Sequence, residues 1–498
     1  MSTGPLLLGL DIGTQGVKGV IVQTDGLVIA RASLERGPAH PHPGWAEMDA
    51  ELDWWGAALQ VLRELVSTAG DDIINLKAVG ICALVPCLCP LDYNGRPLRP
   101  AILYSDNRAL KELAWVNEQA GLSLNAEAVV PKLVWIQRNE PQIFEKTGAV
   151  ASCQGYVVYR LTDQLFMDYD CAAIMGSVFD PVTKSWRAEI LERLGLPLEM
   201  WPELSPATGI AGKITLQAAA LTGLPQGIPV IAGTGDTYPT IVGCGAVEIG
   251  DAMVSYGTTG LLTIANQPLV ESSGGPHFSA SDGGAAVTWG ANVLSAGRLI
   301  SWYVEQFASN EQIVADRLGQ SVFHLLEKEC SLIPAGSQGL IVLPHWLGRR
   351  TPTPDANLRG SILGLTPSHT SAHLYRAIME AFAFNVRQSF NNFRPSIKRL
   401  VATAGGARSK VWRQIVSDVL NMTLSYHPES SGSLGIAFLA GYAVGLVTEF
   451  TDIKYAWLQS PQEVVPIPEN VRVYDALFPS YCEFDEALVK PYANLGSG

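Results

Sequence analysis

Apolar residues along this chain fall into short continuous runs and helically spaced stripes, and the order of the two repeats itself. Leu6–Leu10 and Val17–Val22 are runs of strand length joined by a glycine-bearing turn, and Leu27–Ala32 follows Thr24-Asp25-Gly26. Bounded runs of this kind predict strands in hairpins. Between Asp49 and Thr68, Trp54, Trp55, Ala58, Leu62 and Leu65 recur at helical spacing, which predicts an amphipathic helix. A further strand fits Leu76–Ala83, and helices fit Arg108–Ala120 and Gly155–Leu161. Ile228–Ala232 reads as a buried strand running on to Gly235 and ending in the Asp236 loop. After Gly250 the pattern restarts. Ala252–Tyr256 and Leu261–Ile264 predict a second strand pair around a Gly-Thr turn, with helical spacing over Val293–Ala308 and Ala372–Phe393. A strand at Arg399–Thr403 runs into a small-residue loop, a helix follows to Asn421, and Leu434–Val444 is a further apolar helix. Two α/β halves opening with the same hairpin imply a duplicated unit with a cleft between, and 498 residues exceed what one core organises. The boundary falls near Val247–Gly250, giving domains of 1–247 and 248–498.

Charge and cysteine usage narrow the class. The formal net charge is −13, from 47 acidic and 34 basic residues, which argues against a nucleic-acid or anionic-membrane surface. No run approaches the ~18 apolar residues needed to cross a bilayer. Eight cysteines in a chain this long do not form a disulfide framework, and they read as buried or half-buried free thiols in a reducing cytoplasm. His369 and His373 have a metal-ligand interval but no acidic partner nearby, so no zinc site is expected. Most of the twelve tryptophans are expected to fill cores, with Trp45 a candidate for lining the cleft.

The chemistry concentrates in glycine-rich bends. Asp11-Ile-Gly-Thr-Gln-Gly follows a strand with no helix directly after it, the wrong setting for a dinucleotide fingerprint, and no P-loop string occurs. A hairpin led by a carboxylate suits a different role, in which Asp11 holds a hydrated Mg²⁺ while Gly13, Thr14 and Gln15 offer amides and a hydroxyl to phosphate. Such a string is also an ordinary β-turn, since Asp and Gly dominate turns. Asp236, between Gly235 and Thr237, reads as a base for a hydroxyl facing ATP, or more plainly as the cap of a helix starting at Tyr238. Tyr256-Gly-Thr-Thr-Gly repeats the first turn, and Ala404-Gly-Gly-Ala-Arg-Ser places small residues at a helix start, where a nucleotide can approach closely.

Taken in order, these motifs resemble the FGGY carbohydrate kinases of the actin-like (ribonuclease H-like) ATPase fold, and among them the xylulokinases. Asp11–Lys18 resembles the first phosphate motif, Gly235-Asp236 the catalytic-base motif, and Gly257-Thr258-Thr259-Gly260 the second phosphate motif. Ala404-Gly405-Gly406-Ala407-Arg408-Ser409 resembles the adenosine motif, with Ala404 in place of a first glycine. Pro43-Gly44-Trp45, Asp106-Asn-Arg108, Lys132-Leu-Val-Trp135 and Arg350-Thr-Pro352 extend the likeness over nearly the whole chain. The resemblance implies ATP and Mg²⁺ as cofactors, with Asp11 and Asp236 as metal ligands. It also implies a small sugar as substrate, with a homodimer left open.

The departures concern the sugar. Where xylulokinases carry Met-His-Gly, the chain has Val85-Pro86-Cys87, and proline has no donor. A Lys-Asp pair is replaced by Gln154-Gly155, and a polar position after Asp168-Tyr169 by Cys171. Val85, Pro86, Asp106, Asp236 and Thr237 are the expected substrate contacts. The expected reaction is phosphorylation of a pentulose such as D-xylulose to its 5-phosphate. Kinases of ribulose, ribitol or glycerol, and a non-catalytic sugar or nucleotide sensor of the same fold, are the alternatives.

Overall fold

The structure is a computed structural model that describes residues 4–266, 277–278, 286–458 and 460–495. Its chain divides into two compact units, each built on a seven-stranded sheet.

The first unit is chiefly Met1–Gly245 together with Ser430–Leu458. Its strands lie in the order Ile210–Lys213, Pro229–Ile231, Leu76–Ala83, Leu6–Gly13, Gly16–Gln23 and Val28–Glu35, and Thr234–Gly235 also pairs with Leu76–Ala83. The three strands from Leu6 to Glu35 are antiparallel neighbours, and Leu76–Ala83 runs parallel to the first of them. Leu6, Leu8, Leu10 and Ile12 are fully buried, as are Val79 and Ile81. The predicted helix after Asp49 starts as a widened π-type turn, Ala50–Gly56, and becomes α-helical over Ala57–Ala69. Asp49 begins it by accepting bonds from the amides of Glu51 and Leu52.

The other face of the sheet carries a helix from far along the chain, Gly432–Ala443. Nearly all its residues are buried, so it reads as apolar all round rather than as a stripe. Glycines let it approach backbone to backbone: a methyl at Gly9 would land on Ser433 O, and one at Gly80 on Ile436 O. On its flank, Gly435 and Gly243 bring it against the helix Thr237–Gly243 in the same way.

The second unit comprises Ala246–His277, Ala285–Glu429 and Gln459–Gly498. Its sheet repeats the arrangement: Ala286–Val293, Gly260–Asn266 and Asp251–Tyr256 are antiparallel neighbours, and Arg399–Thr403 then Leu424–Tyr426 continue in parallel. Tyr256, Phe382 and Trp412 form a ring cluster with centroids 5.1–5.3 Å apart, joining the sheet to the helices Ser371–Phe393 and Lys410–Leu420.

Two sequence expectations need correction. Val293 ends a strand and the helix begins only at Gly297, because the Gly260–Asn266 strand pairs along residues 286–293. The single strand expected over residues 228–235 is two short ones, Pro229–Ile231 and Thr234–Gly235. They are parted at Gly233, whose φ of +71° suits only glycine and whose missing side chain makes room for Ile81 O. Among the described residues no helix is long and apolar enough to cross a membrane. All eight cysteines are free, seven of them buried.

Candidate active site

In the first unit, strand register brings two carboxylates to one end of the sheet. Asp11 pairs opposite Cys82, while Thr234 and Gly235 pair opposite Cys82 and Ala83 from the other side of the same strand. Asp236 follows at once, fixed by its amide to Ala83 O at 2.9 Å and by Thr240 Oγ1 on its carbonyl at 2.7 Å. Gly235 has no room for a side chain because Val85 Cγ2 occupies that space. Asp236 precedes the helix Thr237–Gly243, yet its carboxylate caps no helix amide and accepts from Thr237 Oγ1 at 3.3 Å. The plainer role of helix cap is thereby removed.

Both carboxylates sit deep in the protein while their residues retain accessible surface. Burial pushes Asp11 up to about 6, against the opposing pull of Lys18 and a Cys82 hydrogen bond. Burial, then the charge of Asp11, pushes Asp236 up to about 7. A carboxylate whose charge raises the proton affinity of a buried neighbour marks a place where added positive charge is stabilising. Asp11 Oδ1 is buried without a hydrogen-bond partner. Beside Oδ2, Gly432 leaves open a space that a methyl would fill, 2.7 Å from that oxygen. These features fit Mg²⁺, which takes one or two carboxylates and completes its shell with water and phosphate. Among the described residues no group of three or more acidic, histidine or cysteine side chains forms a self-sufficient metal cage.

The hairpin beyond Asp11 is a two-residue turn, Thr14-Gln15, between Gly13 and Gly16. Thr14 is half-buried, and Gln15 and Lys18 are exposed. In the second unit the equivalent turn, Gly257-Thr258-Thr259, leaves both threonines exposed. It is braced from behind: Gly297 N donates to Gly257 O at 2.8 Å, and the Ala296 and Arg298 amides reach Thr258 O. The small-residue loop forms a tight turn, Gly405–Arg408, after Ala404. Ala404 and Gly405 are exposed, Gly406 is pressed against Trp412 and Tyr256, and Ala407 is buried. Ser409 is engaged elsewhere, capping Trp412 N at 3.1 Å and donating to Glu327 at 3.0 Å.

The expected sugar contacts divide. Val85 is half-buried beside Gly235, while Pro86 and Cys87 are buried. Asp106, expected against the sugar, is 1 % exposed and fully occupied. Its oxygens take the Arg108 guanidinium and amide and the Ala46 amide at 2.6–2.9 Å. Arg108 in turn lies 3.6 Å over the Trp45 ring and pairs with Glu47, so Trp45 serves this ion cluster. Lys132 donates to the carbonyls of Tyr104 and Glu127, and burial lowers it to about 8. At Gly155 a side chain would meet Phe166 O at 2.7 Å, which accounts for glycine there. His373 closes a capping box with Thr370, and His369 accepts from Thr366 N. Cys82, Asp168 and Thr234 adjoin the two carboxylates, and sequence spacing does not single them out: strand register sets Thr234 against Cys82, and a side-chain hydrogen bond joins Thr234 to Asp168.

Duplicated sheets with matching Gly-Thr hairpins, and a carboxylate pair at the end of one, are an arrangement suited to phosphoryl transfer. Family models for the N-terminal and C-terminal domains of FGGY carbohydrate kinases match residues 6–243 and 252–444, so the chain belongs to the FGGY family of carbohydrate kinases. It is 28 % identical over 490 residues to a xylulose kinase of Bacillus subtilis, covering 95 % of each chain. It is 28 % identical over 507 residues to a gluconokinase of Bacillus licheniformis, covering 99 % of this chain and 98 % of that one. The crystal structure of a xylulose kinase from Rhodospirillum rubrum superposes with a TM-score of 0.83 at 28 % identity, covering 98 % of this chain and all of the other. The chain is a sugar kinase of this xylulose and gluconate kinase type, a class that uses ATP as phosphate donor.

Proposed function

We propose that the chain transfers the γ-phosphoryl group of ATP to a hydroxyl of a small neutral sugar, with D-xylulose, giving its 5-phosphate, the first candidate. The Asp11–Asp236 pair carries this reading. Asp236, at about 7, is poised to take a proton from an attacking hydroxyl near neutral pH. Asp11 and Asp236 would hold Mg²⁺, which when bound neutralises charge on the phosphate oxygens. Thr14, Gln15 and Lys18 in one hairpin and Thr258 and Thr259 in the other expose donors for phosphate. Ala404–Gly406 offer small residues to the nucleotide, and Ala407 and Ser409 hold their turn. Positioning and charge then supply most of the barrier reduction.

A neutral acceptor is preferred over a sugar acid such as gluconate. Of the cations beside Asp106, Arg108 pairs with Asp106 and Glu47, and Lys132 donates to two carbonyls. Aldonate binding would also bring a further negative charge toward Asp11 and Asp236. Val85 and Pro86 give the acceptor an apolar wall with no side-chain donor. A non-catalytic sensor would not need both carboxylates. An ADP-release screen with Mg-ATP over pentuloses, hexuloses, polyols and gluconate tests the proposal. Turnover confined to gluconate would overturn the neutral-sugar reading, and no turnover with any acceptor would favour the sensor.

A further inference from the structure

A second buried carboxylate network lies directly behind the strand that delivers Asp236. Asp168 is 1 % exposed and gathers donors from three elements. Its Oδ2 accepts from Thr234 Oγ1 at 2.8 Å and from the amides of Asp170 and Cys171 at 3.1 and 3.3 Å. Its Oδ1 accepts from Gln154 Nε2 at 3.3 Å. Gln154 sits in the helix Cys153–Thr162, Asp168 caps the helix Tyr169–Ala173, and Thr234 begins the two-residue strand that ends one residue before Asp236.

That strand is short, although backbone bonds from Ala232 to Gly209 and from Asp236 to Ala83 hold the chain on either side of it. Two residues pair with Cys82 and Ala83, and the chain behind them passes through Gly233, the most permissive kind of residue. A buried bond between a hydroxyl and a charged carboxylate is stronger than a neutral one and directional. Thr234 makes that bond two residues from the base.

We propose that Asp168, acting through Thr234, is a positioning residue that fixes Asp236 in register with Asp11. The inference rests on Asp236 being the base. Gln154 has a part in it: from the helix side its amide nitrogen donates to Asp168 Oδ1 and to Cys171 Sγ.

The test compares Thr234→Val, which keeps shape and removes the hydroxyl, with Thr234→Ser, which restores it, and with Asp168→Asn. Each is assayed for kcat and KM on the best acceptor from the ADP-release screen, with Asp236→Asn as reference. Because misplacing a catalytic group by ~1 Å can cost ~10²-fold, Thr234→Val is expected to lower kcat by about 10- to 100-fold. The acceptor KM should move less than about 3-fold, and Thr234→Ser should recover most of the loss. The double variant Thr234→Val/Asp168→Asn should be little worse than the more impaired single variant, since both remove one link. Wild-type kcat in Thr234→Val, or equal losses in the Val and Ser variants, overturns the positioning role while a dead Asp236→Asn leaves the base assignment standing. An active Asp236→Asn overturns both. A crystal structure of Thr234→Val reads the geometry without turnover: an Asp236 carboxylate unmoved relative to Asp11 contradicts the proposal, and a shift on the order of 1 Å supports it.

Discussion

Asp236 and Ala404 show how a single side chain's setting decides what it does. Asp236 is buried beside a second carboxylate, which leaves it ready to accept a proton near neutral pH. Replacing it with Asn preserves shape and removes the base. We expect sugar phosphorylation to fall by ~10²-fold or more while ATP still binds; near-native turnover in the purified variant would remove the assignment. Ala404 stands where the resembled adenosine motif has glycine, and its backbone pays for it: φ is +71° and ψ is −179°, a region essentially reserved for glycine. Strain there is about 1–3 kcal/mol, and the extra chain entropy of a glycine returns roughly 0.4–1 kcal/mol of that. Strain wins. Ala404→Gly should raise stability by about 1 kcal/mol in urea unfolding, and an unchanged or lower midpoint would mean the conformation costs alanine little.

At the scale of elements, the helix Gly432–Ala443 depends on glycines that local propensity would replace. Alanine in place of a helical glycine ordinarily gains about 1 kcal/mol. At Gly435 the new methyl would strike Pro239 O and the Gly243 amide, which are backbone atoms that cannot swing away. We expect Gly435→Ala to destabilise by about 1–3 kcal/mol, the usual cost of overpacking; a stabilised variant would show that the two helices part easily. Gly405 is the opposite case. Open space surrounds it, so Gly405→Val should leave the fold intact, and weaker ATP binding with unchanged sugar binding would then report the nucleotide's approach. The hairpins Gly13–Gly16 and Gly257–Gly260 were legible because a two- or three-residue turn is a local matter of glycine and threonine. The break at Gly233 was not, since it answers to Ile81 on a neighbouring strand.

Across the whole molecule, buried carboxylates set a pH dependence with a definite sign. Asp11 and Asp168 are raised to about 6 and Asp236 to about 7, each chiefly by burial. Between about pH 4 and 7 these three groups hold more protons in the folded state than in the unfolded one, so their contribution to stability falls as pH rises through that window, while His427, lowered to about 4 by burial, contributes with the opposite sign. Asp11→Asn and Asp236→Asn should flatten the fall, and Mg²⁺ with ATP should stabilise more at pH 8 than at pH 5. Urea midpoints at the two pH values check this; the same slope in the variants would show that the carboxylates titrate normally. By itself the sequence determined two α/β halves, their Gly-Thr hairpins and the candidate carboxylates, because strand runs, helical stripes and turn residues are set by neighbours a few positions away. The likeness of its motifs to FGGY kinases is written at the same range. Tertiary structure alone decided which side chains remain free for a ligand. Asp106 looked available until Arg108 and Ala46 closed on it, and Ser409 until Glu327 did. Asp168 drew no functional reading until the fold set the Thr234 hydroxyl against its carboxylate. Gly432 lies more than four hundred residues from Asp11, yet it lines the space beside that carboxylate. Hydrogen-bond satisfaction and close packing are properties of residues distant in the chain, so only the folded molecule could assign them.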